Sequence, residues 1–274
     1  MTLAGLSLGL TACAPSADHA SNATAPSAAP SPPSSSAAAV TAPPQASPTP
    51  GPASASEVAP TETTTALAAP PSPSSPAFSL TDPTSQWVVV NKRRPLNPLT
   101  FAPELALPDV PLATSGEGAM LNPTTARAAE ALFAAAAAAG VGMTLASGYR
   151  SYATQVATYS VQVDAQGREL AEVASARPGY SEHQTGWAFD IGSADGECAF
   201  QPCFAQTPAA QWAAAHGHEY GFIVRYPWMG QDVTGYFYEP WHLRFIGVEA
   251  ASEMKRRGVE TLEAYFGLPA APSY

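Results

Sequence analysis

Two clusters in this 274-residue chain hold residues able to do chemistry together. The first is Ser181-Glu182-His183-Gln184-Thr185-Gly186-Trp187-Ala188-Phe189-Asp190, and the second is Glu239-Pro240-Trp241-His242-Leu243-Arg244-Phe245. They offer two imidazoles and a carboxylate as metal ligands, with a second carboxylate left over. A catalytic zinc takes three protein ligands and keeps one position for a water whose pKa falls to about 7. A further carboxylate then moves the protons. Taken singly, each cluster reads equally well as a core histidine with a salt-bridged acid. Taken together, in a chain with only five histidines, they favour a metal.

Strand parity bears on which side chains meet. If 187–191 is a strand, Ala188 and Asp190 point to one face, and Trp187, Phe189 and Ile191 point to the other. Asp190 then needs a partner cation in an otherwise apolar setting. In a strand over 241–245, His242 and Arg244 share one face. Pro240 is expected to interrupt that strand, so that Glu239 approaches from the rim, and Gly186 allows a turn between His183 and Asp190. Arg150 closes Ser147-Gly148-Tyr149-Arg150, a tight turn after a short strand at 143–146. A guanidinium there can grip a carboxylate with two parallel hydrogen bonds. A plain surface arginine at a helix start is disfavoured by the helix's positive end.

The elements that must position these groups are short. A strand is expected at 86–90 and a helix from Asn122-Pro123 to Gly140, with proline at its first position. Further helices are expected from 151 or 152 to 163, over 211–220 and over 248–257, and a strand at 222–225. Residues 166–177 read as unstructured. The irregular alternation predicts an α+β fold, a small antiparallel sheet flanked by helices.

Composition divides the chain further. Residues 14–79 are dominated by Ala, Pro, Ser and Thr, with three acids and no Lys or Arg. Such a stretch cannot bury enough apolar surface to offset its ordering entropy, and reads as a disordered linker. All twelve basic residues and all five Trp fall in 80–274, the expected catalytic domain. The folded part, with 12 basic against 19 acidic residues, argues against a nucleic-acid partner, which would need a clustered basic surface. Lys92-Arg93-Arg94, the one basic run, reads as a solvated turn. Residues 1–13 read as a signal peptide ending in the lipobox-like Leu10-Thr11-Ala12-Cys13, with Cys13 as lipidation site; an unmodified cysteine is the alternative. The positive stretch that opens such signals is missing, which leaves an upstream start or a truncated chain. Cys198 and Cys203 read as a disulfide closing a surface loop outside the cytoplasm. As a metal pair they would leave two ligands unaccounted for.

Other motifs fail on context. Gly5-Leu6-Ser7-Leu8-Gly9 has the form of a hydrolase elbow but lies in the signal segment. Ser252-Glu253-Met254-Lys255 spells SxxK with no KTG to accompany it. His216 and His218, two apart on an expected helix, face different ways.

The runs SGYRSYxxQ from Ser147 to Gln155, SxHxxGxAxD from Ser181 to Asp190 and ExxH from Glu239 to His242 resemble the VanY-type D-alanyl-D-alanine carboxypeptidases. These share the hedgehog/DD-peptidase zinc fold with lysostaphin-like endopeptidases and the hedgehog signalling domain. The resemblance covers about residues 86–262. It implies one Zn2+ held by His183, Asp190 and His242, with Glu239 as the catalytic base acting on zinc-bound water. It also implies Arg150, with Gln155 and Ser181, as the group that binds the substrate's terminal carboxylate. The implied function is hydrolysis of the terminal D-Ala-D-Ala bond of peptidoglycan stem peptides. The enzyme is expected outside the cytoplasm as a monomer, held to the membrane through a lipid anchor on Cys13 alone. An L,D-carboxypeptidase trimming tetrapeptide stems would use the same metal machinery. A non-catalytic peptidoglycan-binding module is the other alternative; Glu239 argues against it, since binding needs no proton-transfer group.

Overall fold

The computed structural model describes residues 78–274. Cys13, the expected signal and all but the last two residues of the 14–79 segment lie outside the described residues.

Helix α1, Pro123–Ala138, opens as its residues dictate: the Asn122 side chain accepts from the Thr124 amide, and Pro123 stands at the first position. It stops at Gly140, whose φ of +77° suits a residue without Cβ. Strand β1, Met143–Ser147, leads into the turn carrying Arg150. Helix α2, Tyr152–Gln166, is capped by Ser151, and a turn at Gly167 joins it to α3, Arg168–Ala174. This pair corrects the expectation that 166–177 is unstructured. Arg168, Glu169, Leu170 and Ala171 are good helix formers. The hairpin nevertheless buries only Gln155 from α2 and Ala171 from α3, so no apolar stripe marks it in the sequence.

A 3-10 turn at Glu182–Thr185 and the left-handed Gly186 lead into β2, Ala188–Ser193. Helix α4, Pro208–His216, begins three residues earlier than expected, capped by Thr207, and its end tightens to a 3-10 turn at Gly217–Tyr220. There follow β3 (Phe222–Tyr226), the short α5 (Gln231–Thr234), β4 (Glu239–Phe245), α6 (Val248–Arg257) and α7 (Leu262–Tyr265). The four strands form one antiparallel sheet in the order β1-β2-β4-β3. The fold is therefore the expected α+β arrangement. Among the described residues no helix is long and apolar enough to cross a membrane.

Two further expectations are corrected. Residues 86–90 form no strand: Val88, Val89 and Val90 are each at most 2% exposed, but they lie in irregular chain. Val88 and Val90 join the main core while Val89 joins a second cluster around Ile246 and Met254. That alternation imitates a strand without a ladder. Pro240 does not interrupt β4. The pairing of β4 with β2 covers His242–Arg244 only, so the missing proline N–H costs no ladder bond there. A shift in register between Val224 and Tyr226 on β3 then brings Tyr226 opposite Glu239.

The two faces of the sheet divide as parity requires. Leu145, Phe189, Ile191, Phe222, Leu243 and Phe245 pack with Leu132 and Phe133 of α1 and with the alanines of α4. Asp190 pairs with His242 and Ala188 with Arg244 on the other face. Phe189, fully buried, touches Phe133 and Phe222 at ring-centroid distances of 6.2 and 5.3 Å. Phe189→Ala should lower the unfolding free energy by about 3–5 kcal/mol, read from urea denaturation. A loss under 1 kcal/mol would mean that this face is not the packed core.

Candidate active site and metal centre

The three sequence-chosen ligands converge. His183, on the 3-10 turn, and Asp190 and His242, on adjacent strands, bring one ligand atom each within 4.8 Å of one another, and all three are buried. Asp190 lies between the imidazoles, its Oδ2 3.4 Å from His183 Nε2 and its Oδ1 3.0 Å from His242 Nδ1. His183 Nδ1 is 2.7 Å from the Gly148 carbonyl, which fixes the ring and turns Nε2 toward the cluster. Tyr226 lies against His242 with centroids 4.9 Å apart. Glu239 stands beside this group, its Oε2 3.8 Å from His242 Nδ1, with its side chain 14% exposed. The order of the strands explains the meeting. β2 and β4 are neighbours, and the Asp190–His242 register sets their side chains opposite each other.

The cluster opens into a cavity of about 670 Å³ that Arg150, Ser181 and Glu239 also line. Arg150 forms no ion pair among the described residues. Its Nη1 donates to Gln155 Oε1 at 3.0 Å and its Nη2 to Ser147 Oγ at 3.3 Å. Gln155 is fully buried and does not line the cavity. Its amide nitrogen donates to Ser175 Oγ and the Ala176 carbonyl, so it holds Arg150 from behind. Cys198 and Cys203 are joined in a disulfide with Cα atoms 5.6 Å apart. The SxxK serine and lysine bond to the backbone carbonyls of His218 and Ala214, and His216 pairs with Glu219 away from the site.

A layer of charge lies behind the ligands that the sequence reading did not single out. Glu182, fully buried, accepts from Arg225 Nε at 2.9 Å and Arg244 Nη1 at 2.8 Å. Its other oxygen is 3.4 Å from His242 Nε2. Arg225 also donates twice to Glu263, and Asn91 donates to the same carboxylate. Arg244 donates to the carbonyls of Phe245, Gln86 and Val88. Glu182 stands next to His183, and Arg244 shares a face with His242, so both were within reach of the sequence. Glu263, 81 residues beyond Glu182, gave no signal.

The family profile VanY, D-alanyl-D-alanine carboxypeptidase, matches residues 118–248. The Bacillus subtilis (strain 168) protein YodJ is 36% identical over 191 residues, 69% of each chain. This chain belongs to the VanY family. The solved LdcB LD-carboxypeptidase superposes with a TM-score of 0.63 at 37% identity, covering 68% of this chain and 87% of that one. A variant of the vancomycin-resistance D,D-pentapeptidase VanY, solved with Zn(II), gives 0.55 at 31% identity, covering 65% and 97%.

Burial and charge set the protonation of this VanY-family site. Burial works against the charge on Asp190, but His183 and His242 hold its carboxyl well below the usual range. Burial likewise opposes the Glu182 charge, and Arg225 and Arg244 override it to keep the carboxylate ionised. Burial pushes His183 down, so it is a neutral imidazole near pH 7. Burial also opposes a charge on His242, yet its hydrogen bonds to Asp190 and Glu182 lift it from 6.5 to about 9. Burial, aided by the Asp190 charge, raises Glu239 from 4.5 to about 8.

These shifts fix a sign in the metal-free protein. A raised folded pKa contributes stability that is present below the unfolded value and lost as pH rises through the folded one. For His242 the loss runs from 6.5 to about 9 and for Glu239 from 4.5 to about 8. In that window Asp190 and Glu182 stay ionised. With metal chelated, the unfolding free energy should therefore fall between pH 7 and pH 9, read from urea midpoints. A flat or rising profile would contradict the assigned protonation.

Proposed function

We propose that this chain is a zinc-dependent carboxypeptidase that removes the terminal D-Ala from peptidoglycan stem peptides, with His183, Asp190 and His242 as the zinc ligands. The observation that carries the reading is the convergence of three buried ligand atoms within 4.8 Å, with Glu239 beside them and Arg150 in the same cavity. The donor set fits the ion: two imidazoles and one carboxylate is a catalytic zinc set. Each imidazole has one nitrogen directed at the Asp190 side and the other at a partner that orients it, the Gly148 carbonyl or Glu182. The solved VanY relative with Zn(II) supports the same assignment.

When bound, zinc supplies Lewis acidity that polarises a carbonyl and acidifies water. Arg150, held in place by Gln155 and Ser147, grips the substrate's terminal carboxylate and sets the scissile bond at the cluster. Ser181, buried on the cavity wall, supports the same end of the substrate. Glu239 takes a proton from the attacking water and delivers it to the leaving amine of D-Ala. Its place beside the cluster, 3.8 Å from His242 Nδ1, suits that task.

The catalytic unit in this reading is 80–274, with 14–79 as a tether and Cys13 as the acylated anchor that keeps the enzyme on the outer face of the membrane. The structural likeness to an LD-carboxypeptidase supports a second reading, trimming of tetrapeptide stems by the same residues.

The test uses pentapeptide and tetrapeptide stems with the unmodified enzyme and with Glu239→Gln. The unmodified enzyme should bind about one zinc and release one D-Ala from the pentapeptide. Glu239→Gln should keep the zinc and lose about 10²–10⁴-fold in kcat. Release from the tetrapeptide alone would favour the second reading. Normal turnover by Glu239→Gln would remove Glu239 from the mechanism.

A further inference from the structure

Part of the cavity rim is aromatic, and none of the steps above uses it. Phe200, Trp228, Tyr238 and Trp241 line it. Phe200 meets Trp241 edge-on at a centroid distance of 6.0 Å, and Trp228 meets Tyr238 likewise at 5.8 Å. Phe200 is 48% exposed and Trp228 70%. Their ring surface is open to whatever occupies the cavity.

The backbone at this rim is constrained. Among the described residues, three that are not glycine have positive φ: Cys198 at +55°, Phe200 at +53° and Met229 at +63°. One is Phe200 itself, one opens its loop, and one adjoins Trp228. Such conformations persist where the surroundings over-determine them, and they gather at ligand-binding sites. Around Phe200 the surroundings are the Cys198–Cys203 disulfide and the fully buried Phe204, which anchors the loop in the core. Together they hold an exposed phenyl ring against Trp241, one residue before His242.

The sheet order gives the rim its place along a substrate. Arg150 follows edge strand β1, and its guanidinium stays there on Ser147. Asp190 and His242 sit on the central strands, while Trp228 follows the opposite edge strand β3 and Trp241 lies on β4. With the terminal carboxylate on Arg150, the rest of the peptide crosses the cluster toward the aromatic rings.

We propose that Phe200, set against Trp241 by the Cys198–Cys203 loop, is a specificity-determining residue that receives the side chain preceding the D-Ala pair. This rests on the carboxypeptidase reading above. The rings suit a long methylene side chain lying flat on them. Among the described residues Arg150 is the only Lys or Arg along the cavity wall, and an ammonium at the tip of that side chain gains from ring faces nearby.

Two pentapeptides test this, one with Lys and one with Ala as third residue, each compared on the unmodified enzyme, Phe200→Ala, Phe200→Tyr and the double variant Cys198→Ser/Cys203→Ser. A single apolar contact discriminates by about tenfold or more, so the unmodified enzyme should favour the Lys peptide by about tenfold, through KM. Phe200→Ala and the double cysteine variant should lose that preference by slowing on the Lys peptide alone, with kcat, zinc content and far-ultraviolet circular dichroism kept. Phe200→Tyr should retain it. Equal KM for the two peptides on the unmodified enzyme overturns the inference while leaving the carboxypeptidase reading intact, as does a preference that survives Phe200→Ala. Cleavage of neither peptide by the unmodified enzyme overturns the reading as a D-Ala-D-Ala carboxypeptidase, and this inference with it.

Discussion

The site depends on one buried carboxylate, Glu182, held between two arginines. Taking a carboxylate out of water is costly unless cations and donors replace its hydration. Arg225 and Arg244 do so at 2.9 and 2.8 Å on one oxygen, which leaves the other directed at His242. The same lattice ties distant parts of the chain together. Arg225 reaches Glu263 on α7, and Arg244 reaches the carbonyls of the irregular 86–88 segment. The segment before the sheet, the last helix and the metal cluster are thus joined through fully desolvated charge. Losing any partner leaves an uncompensated ion, so this part of the fold should move as a unit or not at all.

Around that rigid centre the cavity walls are lightly held. The α2–α3 hairpin forms one wall while burying two residues, and its tie to the site is Gln155, between Arg150 and the Ser175–Ala176 backbone. The other wall is the disulfide loop with Phe200 and the turn with Trp228. Asp190 and His242 sit on strands with a layer of buried charge behind them, while the surrounding walls are a helical hairpin, a disulfide loop and a turn. That division is the usual one for sites that need both precision and selectivity.

Much of this was legible in the sequence, for reasons that can be named. Period-two alternation in 187–191 and 241–245 turned Asp190 and His242 each away from the bulky apolar residues of its own strand, and the pairing of β2 with β4 sets them opposite each other. Asn122-Pro123 and Gly140 marked α1 because capping chemistry is local. The failures share a cause as well. The valines at 88–90 mimic a strand since they are buried in two directions, and only tertiary packing shows that no ladder exists. The α2–α3 hairpin lacks an apolar stripe because it packs on little. Gln155 was expected at the substrate, and the structure sets it one layer back, a distinction that spacing alone cannot make. Glu182 lay within a quoted motif, but its meaning depends on Arg225 and Glu263, far away along the chain.

The central claim is that Glu182 acts through His242 to make the cluster a metal site. The most direct measurement is the zinc dissociation constant of Glu182→Gln, by competition with a chromophoric chelator, on protein shown by circular dichroism to be folded. Loss of a carboxylate that orients a ligating histidine typically weakens metal binding by about 10–100-fold, and that is the result expected here, with the glutamine still filling the space. Affinity equal to that of the unmodified protein would mean that His242 is oriented without Glu182, and would contradict the account.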